Sequence, residues 1–104
     1  YEGVAAMARA GLGVIVEEVL LAGGPAQRRI ARELPRVDVL WVGVRCDPAV
    51  AAGREAGRSE RIVGMALSQA ERVHEGVRYD VVVDTTEASP EQCARAVLAR
   101  LHQR

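Results

Sequence analysis

Three runs of apolar residues punctuate the chain, and between them the apolar positions return at three- and four-residue steps. The first run is GVIVEEVLL, where Val14 to Val16 and Val19 to Leu21 flank two acids. The second, VDVLWVGV at 37–44, is apolar at almost every position, and YDVVVDTT at 79–86 is the third. Short, nearly continuous β-branched runs of this kind predict strands buried on both faces.

The segments between them read as helices. YEGVAAMARAG predicts the last turns of a helix already under way, closed by Gly11, and suggests a piece of a longer protein. AGGPA is a turn with Pro25 placed to open a helix over AQRRIAREL, which Pro35 stops. Asp47 is the predicted cap of a helix with Pro48 in its first turn, running through AVAAGREA toward Gly57. A further helix from Glu60 to His74 turns Ile62, Met65, Ala66, Gln69, Ala70 and Val73 to one side. In SPEQCARAVLARL, Ser89 is the predicted N-cap, Pro90 the first helical residue and Gln92 the partner in a capping box. Its apolar face is Cys93, Val97, Leu98 and Leu101.

Strands alternating with helices predict an α/β domain built on a parallel sheet. Ligands of such sheets gather at the carboxyl ends of the strands. The residues predicted there are Glu17 and Glu18, Cys46 and Asp47, and Asp84 to Thr86.

Composition narrows the options. A chain of 104 residues is one domain at most, and 49% hydrophobic content is enough for a core. With aromatics at 3% and no Phe, that core must be aliphatic. Fourteen basic and fourteen acidic residues cancel, which argues against broad nucleic-acid binding. No run reaches the ~18 apolar residues of a membrane span, so the expectation is a soluble, cytoplasmic chain. Cys46 and Cys93 lack metal-ligand spacing and read as buried cytosolic thiols.

The sharpest chemical question is GREAGRSERIVGMA, residues 53–66. Arg54, Arg58 and Arg61 share one helical face, and Glu55 and Glu60 fall on others. A solvated face is one reading. The other is an anion-binding lid, because Gly57 and Ser59 interrupt the helix between the arginines and guanidinium pairs bidentately with phosphate. Arg28 and Arg32 make another such pair, so spacing alone does not decide.

Glu17 and Glu18 lie within an apolar run, where a carboxylate needs a partner, water or a cation. They admit a salt bridge at the sheet edge or a magnesium ion held through its water shell. Asp84, Thr85 and Thr86 admit turn and cap chemistry, or a loop that cups a nucleotide base with backbone groups. His74 and Glu75 ahead of Gly76 read as a helix end. No Ser/His/Asp or Cys/His arrangement is legible.

Several strings together carry a resemblance: MARAG, VDVLWVGVRCD, GRE followed by two more arginines, VGMA, VHEGV, YDV and VDTT. From Tyr1 to about Thr86 the chain resembles the C-terminal part of the chloramphenicol phosphotransferase family, small kinases of the P-loop type. The resemblance implies transfer of the γ-phosphoryl group of ATP, with Mg2+, to a hydroxyl of a small antibiotic, chloramphenicol being the candidate acceptor. Arg58 and Arg61, and more weakly Arg54, match the lid arginines, with the lid at about 53–61. The loop from Asp84, Thr85 and Thr86 to Ser89 and Pro90 matches the adenine side. Glu17 and Glu18 match an acidic pair in the family, with a metal role through water. A non-catalytic nucleotide- or phosphate-binding domain is the alternative.

The chain departs from the family in lacking G-x-x-x-x-G-K-[ST], the loop that cradles phosphates. The family's catalytic aspartate also precedes the segment that matches, so no base is assigned here. The implied fold is a three-layer P-loop-kinase-like parallel sheet with flanking helices, lacking its first two strands. In the family order 2-3-1-4-5, the first strand lies between two that are present. Exposed strand edges then predict self-association or instability of this piece alone.

Overall fold

The computed structural model describes residues 1–47, 49–50, 53 and 73–103. Helix α1 spans Glu2–Arg9, helix α2 Gly24–Glu33 and helix α3 Pro90–His102, with strands β1 at Val42–Arg45 and β2 at Val81–Asp84. The two strands pair in parallel, in register from Val42 opposite Val81 to Arg45 opposite Asp84. This is a small α/β arrangement of a two-stranded parallel sheet with flanking helices, compatible with a kinase-like domain. Among the described residues, no helix is long and apolar enough to cross a membrane.

Local chemistry explains where the helices start and stop. The Leu12 N–H reaches the Met7 carbonyl and the Gly11 N–H that of Ala8, with Gly11 at φ +95°. That crossed pair is a Schellman ending, which needs the left-handed conformation a glycine adopts without strain. At α2, Pro25 sits in the first turn, where its missing N–H costs nothing. The capping box of α3 forms in full: Gln92 N–H donates to Ser89 Oγ, and Ser89 N–H to Gln92 Oε1.

Contacts distant in sequence tie α2 to the turn before β2. Gln27, buried, donates from Nε2 to the Arg78 carbonyl at 2.6 Å and accepts the Arg78 N–H on Oε1 at 2.9 Å. Beside it, the Gly24 N–H donates to the Glu75 carbonyl at 2.8 Å. The backbones come so close that a Cβ on Gly24 would stand 2.6 Å from the Gly76 oxygen. A side chain at Gly24 therefore forces the two segments apart.

Three expectations need correction. The run from Val14 to Leu21 is not a strand: residues 12–20 carry no regular structure, and Ile15 is 98% exposed. Among the described residues no strand lies alongside it, and an extended run becomes a strand only when a neighbour takes its N–H and C=O groups. The sheet accordingly has two strands among the described residues instead of three, and β1 begins at Val42, well inside the predicted 37–44 run.

The apolar face predicted for α3 is less covered than expected. Leu98 and Leu101 are exposed, while Cys93 and Val97 are half-buried. The helix packs on β2, and a two-stranded sheet covers only part of a helix face. Likewise the thiols of Cys46 and Cys93 are half-buried, not buried. Ala5, Leu34 and Val83 are the buried apolar residues among those described. His74 and Glu75 lie in a turn over 73–76, ahead of Gly76 at φ +71°. Most of the helix predicted from Glu60 to His74, and the lid with Arg54, Arg58 and Arg61, lie outside the described residues.

Candidate functional site

The carboxyl ends of β1 and β2 are stitched to one another. The Thr85 N–H donates to the Arg45 carbonyl at 2.7 Å, and Thr85 Oγ1 donates to the same oxygen at 3.2 Å. One residue further on, the Asp47 N–H donates to Thr86 Oγ1 at 2.7 Å. Asp84 Oδ1 accepts the Thr86 N–H at 2.8 Å, which folds the loop back at the strand end. The hydrogen bonds from Thr86 hold the Asp84 carboxyl below the usual carboxylate range. Asp47 in turn caps the next helical turn, its Oδ1 accepting the N–H groups of Ala49 and Val50 at 3.0 and 3.4 Å.

The structure thus brings together Cys46, Asp47, Asp84, Thr85 and Thr86, as the parallel-sheet rule predicts. The loop continues to Ser89, whose side chain and N–H both serve the α3 cap, and to Pro90 at the start of that helix. Thr85, Thr86 and Ser89 therefore act first as cross-links that shape the edge. Their hydroxyls hold backbone, and the Asp84–Pro90 loop has a defined path leading to a helix N-terminus.

Glu17 and Glu18 lie elsewhere in the contact pattern, on the exposed 12–20 segment. Glu18 accepts the Tyr1 hydroxyl on Oε2 and the Val19 N–H on Oε1. That hydrogen bond, with burial and the nearby Glu18 and Glu33 charges adding to it, pushes the Tyr1 phenol up to about 12. The Tyr1 hydroxyl, followed by the Val19 N–H, lowers the Glu18 carboxyl. Both Glu18 oxygens thus accept a hydrogen bond from within the chain. Among the described residues, no group of three or more His, Cys, Asp and Glu side chains is placed to hold a metal ion.

Arg45 is the site feature that pattern reading missed. It ends β1 two residues after Gly43, on the same face of the strand. The Tyr79 ring lies over that face so closely that a Cβ on Gly43 would meet its carbons at 2.8–2.9 Å. Tyr79 OH in turn bonds His74 Nδ1, and the two rings meet edge to face with centroids 5.6 Å apart. The visible signal was the order G-V-R at the end of a strand, which puts a cation next to the carboxyl edge.

Burial lowers the pKa of His74 from its ordinary 6.5, and the Arg45 charge adds to the shift. Because the folded form takes up a proton less readily, the unfolded chain binds more protons as pH falls through about 6.5. Stability is therefore expected to decline from pH 7.5 to pH 5.5, then level off below the folded pKa of His74. Thermal melts across that range check this. The slope should flatten in His74→Gln, and an identical slope in that variant would assign the pH dependence to other groups.

Comparison with curated proteins finds no match. A family model for chloramphenicol phosphotransferase-like proteins, by contrast, matches residues 1–102, nearly the whole chain. With the parallel strands and their joined carboxyl ends in place, the chain belongs to the chloramphenicol phosphotransferase-like family.

Proposed function

We propose that this chain forms the nucleotide-side part of an ATP-dependent phosphotransferase that moves the γ-phosphoryl group to a hydroxyl of a small molecule. The observation that carries the reading is the stitched carboxyl edge, where Arg45, Asp47, Asp84, Thr85 and Thr86 form one hydrogen-bonded rim. Open α/β sheets bind ligands outside such rims, and the family relationship gives the rim a phosphotransferase context. In this reading the loop from Asp84 to Pro90 borders the adenine through its backbone, with Thr86 fixing its position against Asp47.

Phosphoryl transfer relies on positioning and on meeting charge spread over the phosphate oxygens. Arg58 and Arg61, with Arg54 in a smaller part, supply that charge from the lid. Mg2+ is a partner of the nucleotide phosphates, and Glu17 and Glu18 contribute to it only through water. The acceptor is a small hydroxylated compound, chloramphenicol among the candidates, and the biological outcome is antibiotic inactivation.

A second reading is a non-catalytic nucleotide- or phosphate-binding domain: the rim is built from hydrogen-bonded backbone and hydroxyl groups, and no catalytic base is assigned among its residues. Titration calorimetry with ATP, followed by mass spectrometry for a phosphorylated acceptor, separates the two. The first reading expects binding together with an acceptor-dependent phosphate monoester. Binding without product supports the second, and absence of nucleotide binding defeats both. Thr86→Val removes the acceptor of the Asp47 N–H and should weaken ATP binding about tenfold, the size of one lost hydrogen bond.

A further inference from the structure

Two lengths of backbone carry hydrogen-bonding groups with nothing to meet. In the β1–β2 ladder the carbonyls of Trp41 and Arg45 face β2, where they accept the N–H groups of Val81 and Thr85. Alternation along the strand turns the N–H and C=O of Val42 and Val44 the other way, onto the outer edge of β1. Among the described residues nothing bonds them. The second length is residues 13–17, whose backbone groups also lack a partner among the described residues. Ile15 within it stands in solvent, and the segment does not pair with the β1 of its own chain.

The side chains of these two lengths match. Arg45 and Glu17 are both exposed, and neither charged group has a hydrogen bond or ion pair among the described residues. Laying 13–17 parallel to the outer edge of β1, with Val14 beside Val42 and Val16 beside Val44, puts Glu17 beside Arg45. Ile15 then falls beside Gly43, on the face that Tyr79 covers. In that register the N–H groups of Val42 and Val44 donate to the Gly13 and Ile15 carbonyls, and those of Ile15 and Glu17 donate to the Val42 and Val44 carbonyls. An antiparallel register with the same valines side by side sets Gly13 beside Arg45 and Glu17 beside Trp41, leaving both charges unpaired. The charges therefore select the parallel one.

We propose that the outer edge of β1 docks a second copy of this chain, which adds its residues 13–17 as a parallel strand with Glu17 on Arg45. Strand addition draws affinity from main-chain bonds and register from side chains. Each copy carries both halves of the contact, so it closes reciprocally or repeats along a chain of copies. The inference goes beyond the nucleotide reading and does not depend on it.

Sedimentation velocity on the full chain is expected to show a mass that rises with concentration. Glu17→Arg and Arg45→Glu should each weaken association about tenfold or more, because each sets like charges side by side. Mixing those two variant chains should restore it, since contacts between unlike chains then pair opposite charges. Ile15→Pro removes the N–H given to Val42 and should leave a monomer, with helical circular dichroism equal to the parent's because Ile15 is exposed. A monomer at every concentration up to about 1 mM, no gain on mixing, or undiminished association in Ile15→Pro overturns the proposal. The exposed Leu98 and Leu101 of α3 are the competing surface. Association lost in Leu98→Glu but kept in Ile15→Pro would assign the contact to α3 and sink the strand edge. Absence of ATP binding in the parent, with association retained, removes the nucleotide reading and leaves this one standing.

Discussion

Arg58→Ala and Arg61→Ala, combined in the full-length protein, are expected to reduce phosphoryl transfer by about 10³-fold or more. A guanidinium that meets the transferring phosphoryl group acts on the transition state, where such a residue is worth roughly 10³–10⁵ in rate. Lowered kcat with little change in the acceptor KM is the signature of that role. Arg54→Ala should cost less, because Arg54 is the weaker match to the family's lid arginines. The control is the other i, i+4 pair: Arg28 and Arg32 are exposed on α2, and their replacement by Ala should leave turnover within about twofold, as exposed surface charges contribute little. Steady-state kinetics on both double variants decides the matter. Unchanged turnover and unchanged ATP affinity in the Arg58/Arg61 variant would reduce those residues to a solvated helix face.

The second large effect is structural. Gln27→Ala strips both partners from the Arg78 backbone, leaving an N–H and a C=O unsatisfied in a part-buried position. Unsatisfied groups of this kind cost about 1–3 kcal/mol each where they are fully buried. Water can reach part of this site, so a net loss of about 2 kcal/mol is expected. For a domain of this size that lowers Tm by on the order of 10 °C. Gln27→Glu tests the geometry further. It keeps the acceptor for the Arg78 N–H but sets a carboxylate against the Arg78 carbonyl, so the defect should be largest at neutral pH. Acid that protonates the new carboxyl restores a donor and should recover part of the loss relative to Gln27→Ala. Calorimetric melts of the two variants at pH 7 and pH 4.5 provide the comparison, and melting points equal to the parent's at both pH values would show that the clasp adds nothing.

What could be read from the chain alone follows the range of the interactions involved. The α3 cap was visible because Ser89, Pro90 and Gln92 hold all of its chemistry within four residues. Gly11 marked the end of α1 for the same reason. The meeting of Asp47 with Thr86 was accessible through a rule of topology, since parallel strands place their carboxyl ends side by side. The run from Val14 to Leu21 misled because strand formation depends on a neighbour, and a hydrophobic pattern reports a preference for burial without naming what does the burying.

Gln27 gave no local sign at all. Its partner is 51 residues away, and an amide on a surface-like helix looks the same whether it faces water or a distant turn. Glu18 shows the complementary case: the need for a partner was evident from an acid in an apolar run, but that the Tyr1 hydroxyl, 17 residues away, supplies one was not. The order of Gly43 and Arg45 was plain in the sequence, but its meaning depended on Tyr79 arriving over the same face.

The parallel pairing of β1 with β2 also has a kinetic consequence. The residues it joins, such as Trp41 and Asp80, are 39 positions apart. Closing a loop of that length costs about 3 kcal/mol of chain entropy before any ladder bond forms, whereas α3 nucleates from its own cap. Helices should therefore appear first in refolding, with the strand pair among the last contacts to form. The rim at Arg45, Asp47, Asp84 and Thr86 exists only once that pairing is complete. A nucleotide that recognises the rim would have no affinity for the helical intermediates, and its binding amplitude in a stopped-flow experiment would time the final step of folding.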